Sequence, residues 1–439
     1  MTGSPRCAAM GISPIMPPML PTHSRASWIP FGILTMLFML SFFHRVAPAA
    51  VADELQRSLG IGAAQLGTLA AAYFYVYFLM QVPTGILADT LGARRVVVVG
   101  ALTAAAGSVV FALAQTWSMA LAGRALVGLG VSVFFICMLK VAADTFGPRR
   151  FSTATGIGVF AGNMGAVLAA APLAWLVDRG SWRVVFMGVG LALVLLSFAA
   201  WRNVAERAPT PERVERDTVP WPTALAGVLR TRAIWPAFGA MLTAGATYGT
   251  FIGLWAVPYL VQVHGMTASV AAGHTSAALA AFAVSAVALG HWADRIGRKR
   301  PFLIGGLAMF ALGWGLLVSL QRLPQPQSYL LFVLLGATGT AFTLLWACAK
   351  DACPPQYAGM STSVVNAAQF LGVGLLQPVF GWILDRGWTG AMHDGVRVYS
   401  ADSYRVGIGL FLVCTLIGLA CCVGMRERPS TSLPEEMRP

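Results

Sequence analysis

GILADTLGARR, residues 85–95, follows a long apolar run, and GHWADRIGRKR, residues 290–300, follows another. The two segments share Gly, Ala, Asp, Gly and Arg at matching places, 205 residues apart. The same charged punctuation between apolar runs, used twice, indicates a chain built from two copies of one unit.

The remainder of the chain agrees. WLVDRG at 175–180 returns as WILDRG at 382–387, an offset of 207, and Asp144 and Pro148 recur as Asp351 and Pro355 at that same offset. Hydrophobic residues make up 57% of the 439 positions and charged residues only 11%, with a mean hydropathy of +0.70. That composition excludes a soluble domain. A bilayer-crossing helix needs roughly 20 predominantly apolar residues. Twelve such stretches are read at about 29–51, 64–88, 95–115, 117–143, 152–177, 183–202, 233–262, 269–292, 301–320, 328–350, 358–384 and 403–425. The expected organisation is a leader at 1–27, a six-helix bundle at 28–202, a linker at 203–232, a second six-helix bundle at 233–425 and a tail at 426–439. Parallel repeats of even helix number place a transport site between the halves.

The net charge of +13 reads as orientation and not as nucleic-acid binding, because no basic cluster is interleaved with aromatics on a soluble face. With the amino terminus inside, nineteen of the thirty basic residues fall on the inner side and seven on the outer. The positive-inside rule then places both termini on the cytoplasmic side of the membrane. The leader, rich in Pro, Ser and Met, lacks a signal-peptide pattern and is expected to be disordered. The seven cysteines form no CxxC and read as packing residues. No metal site and no cofactor are expected, and a GxxxxGK[ST] loop, HExxH and GxSxG are all missing, which argues against ATP-driven transport and against an enzyme.

The loop GxLaDrxGrrr between helices 2 and 3, echoed between 8 and 9, together with RALVGLG at 124–130, resembles the signature of the major facilitator superfamily across residues 29–425. FHRVAPAAVADEL, LKVAADTFGPRRF and GLWAVPYLVQVHG are most similar to its bacterial sugar-phosphate-permease and nitrate-permease-like branch. The resemblance implies an all-α integral membrane protein of twelve helices in two pseudo-symmetric halves, moving anionic metabolites by alternating access. It also implies that Arg124, Gly128 and Gly130 are the carried positions in helix 4, and that a basic residue in helix 1 touches the ligand.

A charge within a span costs about 2.5–3.5 kcal/mol even on the lenient insertion scale, so such residues are functional candidates. They are His44 and Arg45 in helix 1, Arg124 and Lys140 in helix 4 and Lys350 in helix 10, with no Asp or Glu deep in any span. This favours an anionic ligand. Arg45 offers a bidentate fork for carboxylate or phosphate, with snorkelling to headgroups as the competing assignment. His44 is the candidate for carrying a coupling proton, with Asp53 or the substrate itself as alternatives and a merely hydrogen-bonded histidine as the competing assignment, although anion exchange needs none. Tyr73, Tyr77 and Gln81 share one face of helix 2, and Tyr248, Trp255 and Tyr259 share one of helix 7. Both faces are expected to line the cavity, with Asn366 beside them; packing is the alternative.

Gly85, Asp89, Gly92, Arg94 and Arg95, repeated as Asp294, Gly297 and Arg300, are expected to form a charged latch in each half, its glycines giving close helix approach and a tight turn. Lys140 and Lys350 divide between an inner gate and snorkelling. Glycines at 158, 162 and 165 and at 372 and 374 read as close helix packing. The expected partners are a small-molecule substrate, the lipid bilayer and a coupling proton, with no nucleic acid, for a protein acting as a monomer. Proton-driven efflux of drugs or siderophore-like amphiphiles is the alternative function, weakened by Asn163 after Gly162, where drug antiporters of the superfamily carry a GP pair.

Overall fold

The computed structural model describes residues 28–205, 220–320 and 323–425, with the side chains of Asp89, Gly147, Pro148, Arg149, Ser152 and Asp294 excluded. The expected leader and tail, and part of the linker, lie outside those residues. Eleven helices are long and apolar enough to cross a membrane. In chain order they are α1 Trp28–Ala50, α3 Ala93–Ala112, α4 Trp117–Phe146, α5 Thr153–Asp178, α6 Trp182–Asn203, α7 Arg232–His264, α8 Ala268–Ala293, α9 Arg300–Ser319, α10 Gln325–Ala352, α11 Pro355–Arg386 and α12 Ala401–Val423. The remaining span, α2, is Ala63–Leu79 continued by Pro83–Leu91 after a short break. These are the twelve apolar runs of the sequence, and they make a multi-pass, all-α membrane fold. The only strands among the described residues are the two-residue pair Met392–His393 and Val396–Arg397.

Trp28 and Met425 lie at one end of the bundle, called here the termini end; the opposite end is the distal end. A short helix, Ala52–Leu59, sits at the distal end, bent 114° away from Ala63–Leu79, with Gly60 supplying the left-handed turn at φ +63°. Two features depart from the sequence reading. The backbone stays helical from Phe134 through Leu168, so α4 passes into α5 without an open loop. The linker carries its own helix, Trp221–Arg230.

Helices in lipid gain nothing from hydrophobic exclusion against each other, so they associate where small residues let backbones approach. Gly165 of α5 rests on the carbonyl of Met39 in α1, where an added Cβ would lie 2.0 Å from the oxygen; Gly372 of α11 rests on Leu242 of α7 in the same way, at 2.2 Å. The two glycines are 207 residues apart, so the duplication extends to atomic packing. In RALVGLG, Gly128 fits against Tyr73 of α2 and Gly130 against Gly100 and Ala104 of α3.

The halves meet along three crossings, α2 with α11, α1 with α7 and α5 with α8. At the α2–α11 crossing Gly67 abuts the backbone of Gln377, and Gly381 abuts that of Ala63. Cross-half hydrogen bonds gather in the distal half: Arg57 Nε to the Asp394 carbonyl at 2.9 Å, Ala63 and Ala64 to the Asp385 carboxylate, and Ala171 N to Ser276 Oγ at 3.4 Å. Of the cross-half hydrogen bonds found among the described residues, the one furthest toward the termini end runs from Asn366 Nδ2 to Gln81 Oε1 at 2.9 Å. The distal end is therefore the closed one.

Gly165→Ala and Gly372→Ala should each destabilise the folded protein by about 1–3 kcal/mol, the usual cost of overpacking a tight contact. Gly32→Ala and Gly305→Ala, where an added Cβ meets nothing within 4 Å, should be neutral or slightly stabilising. Thermal melts of the four variants in detergent check this, and equal losses in all four would refute it.

Candidate functional site

Arg45 projects from α1 into the seam between the halves. Its guanidinium carbon lies 4.4 Å from the centroid of Phe42, 5.6 Å from that of Tyr77 on α2 and 5.0 Å from that of Phe370 on α11. Tyr77 and Phe370 stack at 4.3 Å, so a ring from each half closes on the cation. Tyr77 is about 21 Å from Ala63 at roughly 1.5 Å per residue, which puts the cage near the middle of α2. A cation over aromatic faces is held by the ring quadrupole while its edge N–H groups remain usable. Arg45 Nε is buried without a hydrogen-bond partner, and the residue makes no ion pair among the described residues. One turn nearer the termini end, the bonded amides of Gln81 and Asn366 span the same seam.

A second cation lies wholly within the first half. Arg124 is 0% exposed; its Nη1 donates to the His44 carbonyl at 2.8 Å, and its guanidinium sits 5.2 Å from the Tyr73 ring centroid. Its Nε and Nη2 have no partner, nor has Nδ1 of His44, whose Nε2 pairs with Ser108 Oγ at 3.3 Å. Tyr73 in turn bonds Ser41, through its hydroxyl to both the Ser41 side chain and carbonyl at 3.2 Å. Four helices thus bury a guanidinium with no carboxylate beside it.

The structure brings Arg45, Tyr77, Gln81 and Asn366 together at the seam and sets His44, Tyr73 and Arg124 behind them. It places Tyr248, Trp255 and Tyr259 elsewhere. Tyr248 donates to the Ala278 carbonyl at 3.2 Å and stacks on Phe282 at 4.9 Å. Trp255 stacks on Phe380 at 5.1 Å, and Tyr259 bonds His264 at 3.1 Å. All three are buried in this state, Trp255 in the Phe251–Trp255 stretch that meets α1, and none is among the rings found around Arg45. Two five-residue π-helical stretches, Met241–Gly245 and Phe251–Trp255, interrupt α7, which breaks the regular stripe on which that expectation stood.

Around the repeated loops, Gly92 and Gly297 take φ of +85° and +71°, the tight turns expected of them. Close approach at Gly85 and Gly290 is not found, because an added Cβ meets nothing within 4 Å at either. Asp89 and Asp294 have side chains outside the described residues. Arg94 stacks on Trp201 at 4.3 Å, Arg95 follows it at the start of α3, and Arg300 donates to the Val423 carbonyl. Lys140 donates to the Ala88 carbonyl at 2.5 Å, whereas Lys350 is exposed at the termini end of α10.

Three residues of the seam were not singled out from sequence: Phe370, Gln377 and Asp385. Gln377 is fully buried with neither amide atom partnered. Only the spacing of Asn366, Phe370, Gly374, Gln377 and Gly381 along one face of α11 signals them. Among the described residues no group of three or more His, Cys, Asp or Glu side chains is arranged to hold a metal ion.

The chain belongs to the Major Facilitator Superfamily, whose model matches residues 31–376. It is a transporter and not an enzyme. It is similar to the "Probable galactarate/D-glucarate transporter" of Bacillus subtilis, 22% identical over 93% of this chain and 96% of that protein. The hexuronate transporter of Escherichia coli is 25% identical over 54% of this chain and 58% of that protein. Among solved structures, a bacterial homolog of the human lysosomal transporter Spinster superposes with a TM-score of 0.75 at 16% identity, over 93% of this chain and 100% of that one.

Burying an arginine within a span is unfavourable by about 2.5–3.5 kcal/mol, and a hydrogen bond to a charged group returns about 1.5–3 kcal/mol. Arg124→Met removes both terms and should therefore leave stability within about 2 kcal/mol of the parent, while transport falls at least tenfold. A loss of melting temperature in step with transport would make Arg124 a purely structural residue.

Proposed function

We propose that the protein carries a small organic anion, a sugar acid, across the bacterial inner membrane by alternating access between its halves. The observation that carries the reading is the Arg45 guanidinium, caged by rings from both halves, with a buried unpartnered Nε and no carboxylate. A ligand carboxylate supplies the missing negative charge and accepts from the fork. The surrounding rings keep water out, so the charge pair acts at a lower effective dielectric than in bulk. Gln81 and Asn366, one turn away, carry amides that exchange their mutual bond for the hydroxyls of a polyhydroxy acid. The relatives named for galactarate, D-glucarate and hexuronate support this class.

Nineteen basic residues on the termini side against seven on the distal side favour cytoplasmic termini. The distal-closed state is then the one open to the cytoplasm. Coupling is proposed to be proton symport, with the buried His44 as the titrating group, or exchange against a second anion. Acidification accompanying uptake into vesicles separates the two. Amphiphile efflux has less support, because the aromatics of α7 that motivated it are buried and engaged with other side chains in this state.

A thermal-shift screen of purified protein should show stabilisation by galacturonate or galactarate and none by cationic drugs. Ligand at about 100 times Kd adds close to 2.7 kcal/mol. Arg45→Ala should weaken binding about 10- to 150-fold, matching the loss of about 1.5–3 kcal/mol from a charged hydrogen bond. Arg45→Lys should recover part of it, since an ammonium keeps the charge and loses the fork. Stabilisation only by neutral or cationic amphiphiles, equal in parent and Arg45→Ala, would overturn the anion assignment.

A further inference from the structure

The two copies of the WxxDRG segment are used differently. In the second copy the Asp385 carboxylate lies over the first turn of α2 from the opposite half: Oδ1 accepts from Ala63 N at 3.2 Å and Oδ2 from Ala64 N at 2.8 Å. These are two of the amides at a helix start that have no acceptor within their own helix. Tyr399 braces the arrangement, donating to Oδ1 at 2.7 Å and accepting from Ala63 N at 3.0 Å. Arg397 Nη1 adds an ion pair at 3.2 Å. Gly62, just before the turn, is required by the approach, since an added Cβ there would lie 2.9 Å from both carboxylate oxygens. Burial, and then the bond to Asp385, push the Tyr399 phenol above its ordinary pKa, so it remains a donor.

Asp385 also ends α11, where the partial negative charge of its own helix terminus opposes it. The positive end of α2 reverses that sign. When the halves part at the distal end, Asp385 keeps Arg397 and Tyr399, which belong to its own half, and loses only the α2 amides. The carboxylate is never left bare, which is what a reversible contact requires.

The first copy makes no counterpart. Asp178, 207 residues earlier, is exposed and has no hydrogen bond or ion pair among the described residues. The start of α8 that it would meet is served by its own Thr267, whose Oγ1 accepts from Val270 N at 3.4 Å. Among the described residues the α5–α8 crossing holds a single cross-half hydrogen bond, Ala171 N to Ser276 Oγ.

We propose that Asp385 is the gating residue of the distal end, holding it shut by capping α2 across the seam, and that its duplicate Asp178 takes no part. Distal opening is thereby controlled on one flank of the pseudo-symmetric bundle. The claim does not depend on the substrate and stands or falls apart from the assignment of Arg45.

The test is a distance measurement by double electron–electron resonance between spin labels at Ser58 and Ala401, exposed distal positions of the two halves, in cysteine-replaced protein in lipid nanodiscs. Asp385→Asn should raise the ratio of long to short distances about tenfold, Asp385→Glu should return it toward the parent, and Asp178→Asn should change it less than twofold. Should Asp385→Asn fail to fold, as judged by gel filtration and melting, Tyr399→Phe carries the test with an increase of about 2- to 5-fold. An Asp385→Asn distribution equal to the parent's, an equal shift from Asp178→Asn, or an unmoved Tyr399→Phe where that variant is needed would each overturn the proposal.

Discussion

Backbone amides in a bilayer have no water to turn to, so every segment that crosses must satisfy its own hydrogen bonds as a helix before it can pack. The constraint removes the hydrophobic effect as the discriminator between right and wrong helix neighbours and leaves shape, small residues and a few polar contacts to decide. This chain meets it with glycines placed where backbones touch. Gly165 on Met39 and Gly372 on Leu242 fix α5 to α1 and α11 to α7 by the same device in each half. Gly67 and Gly381 then let the two halves approach across α2 and α11. The cage around Arg45 exists because those approaches bring Phe370 onto Tyr77.

Much of this was legible in the sequence because its signals are local. Twelve apolar runs, the repeated loop and the charge bias each depend on residues close in the chain, and the family follows from them. Arg45 was legible too, since a cation in a span stands out against its neighbours. Phe370, Gln377 and Asp385 were not. A phenylalanine or glutamine in an apolar helix acquires meaning only from the helix that meets it, and Asp385 registered only as a marker of the repeat. The same gap explains Tyr248, Trp255 and Tyr259. Periodicity showed that they share a face, but not that Phe282 and Phe380 cover it, and the π-helical stretches that re-aim that face carry no sequence signature read here. At Gly85 and Gly290 the described residues make no close approach in this state, because a glycine permits contact without demanding one.

The scaffold is duplicated, but its chemistry is divided. His44, Arg45, Arg124 and Lys140 all stand in spans of the first half, whereas the lysine and arginines within the described spans of the second, Arg232, Arg300, Lys350, Arg386 and Arg405, lie near the span ends. At the seam the second half contributes a ring, Phe370, and an amide, Asn366. If an anion binds at Arg45 as proposed, it draws most of its electrostatic stabilisation from one half, and that stabilisation survives movement of the other. What changes on opening is the wall the second half provides: the ring that excludes water and the amide that reaches a hydroxyl. On the proposed reading, ligand affinity and conformational preference rest largely on different residues, and a bound anion biases the equilibrium only through whatever contacts it makes with second-half groups such as Phe370 and Asn366, since a ligand shifts an equilibrium only by its differential affinity for the two states.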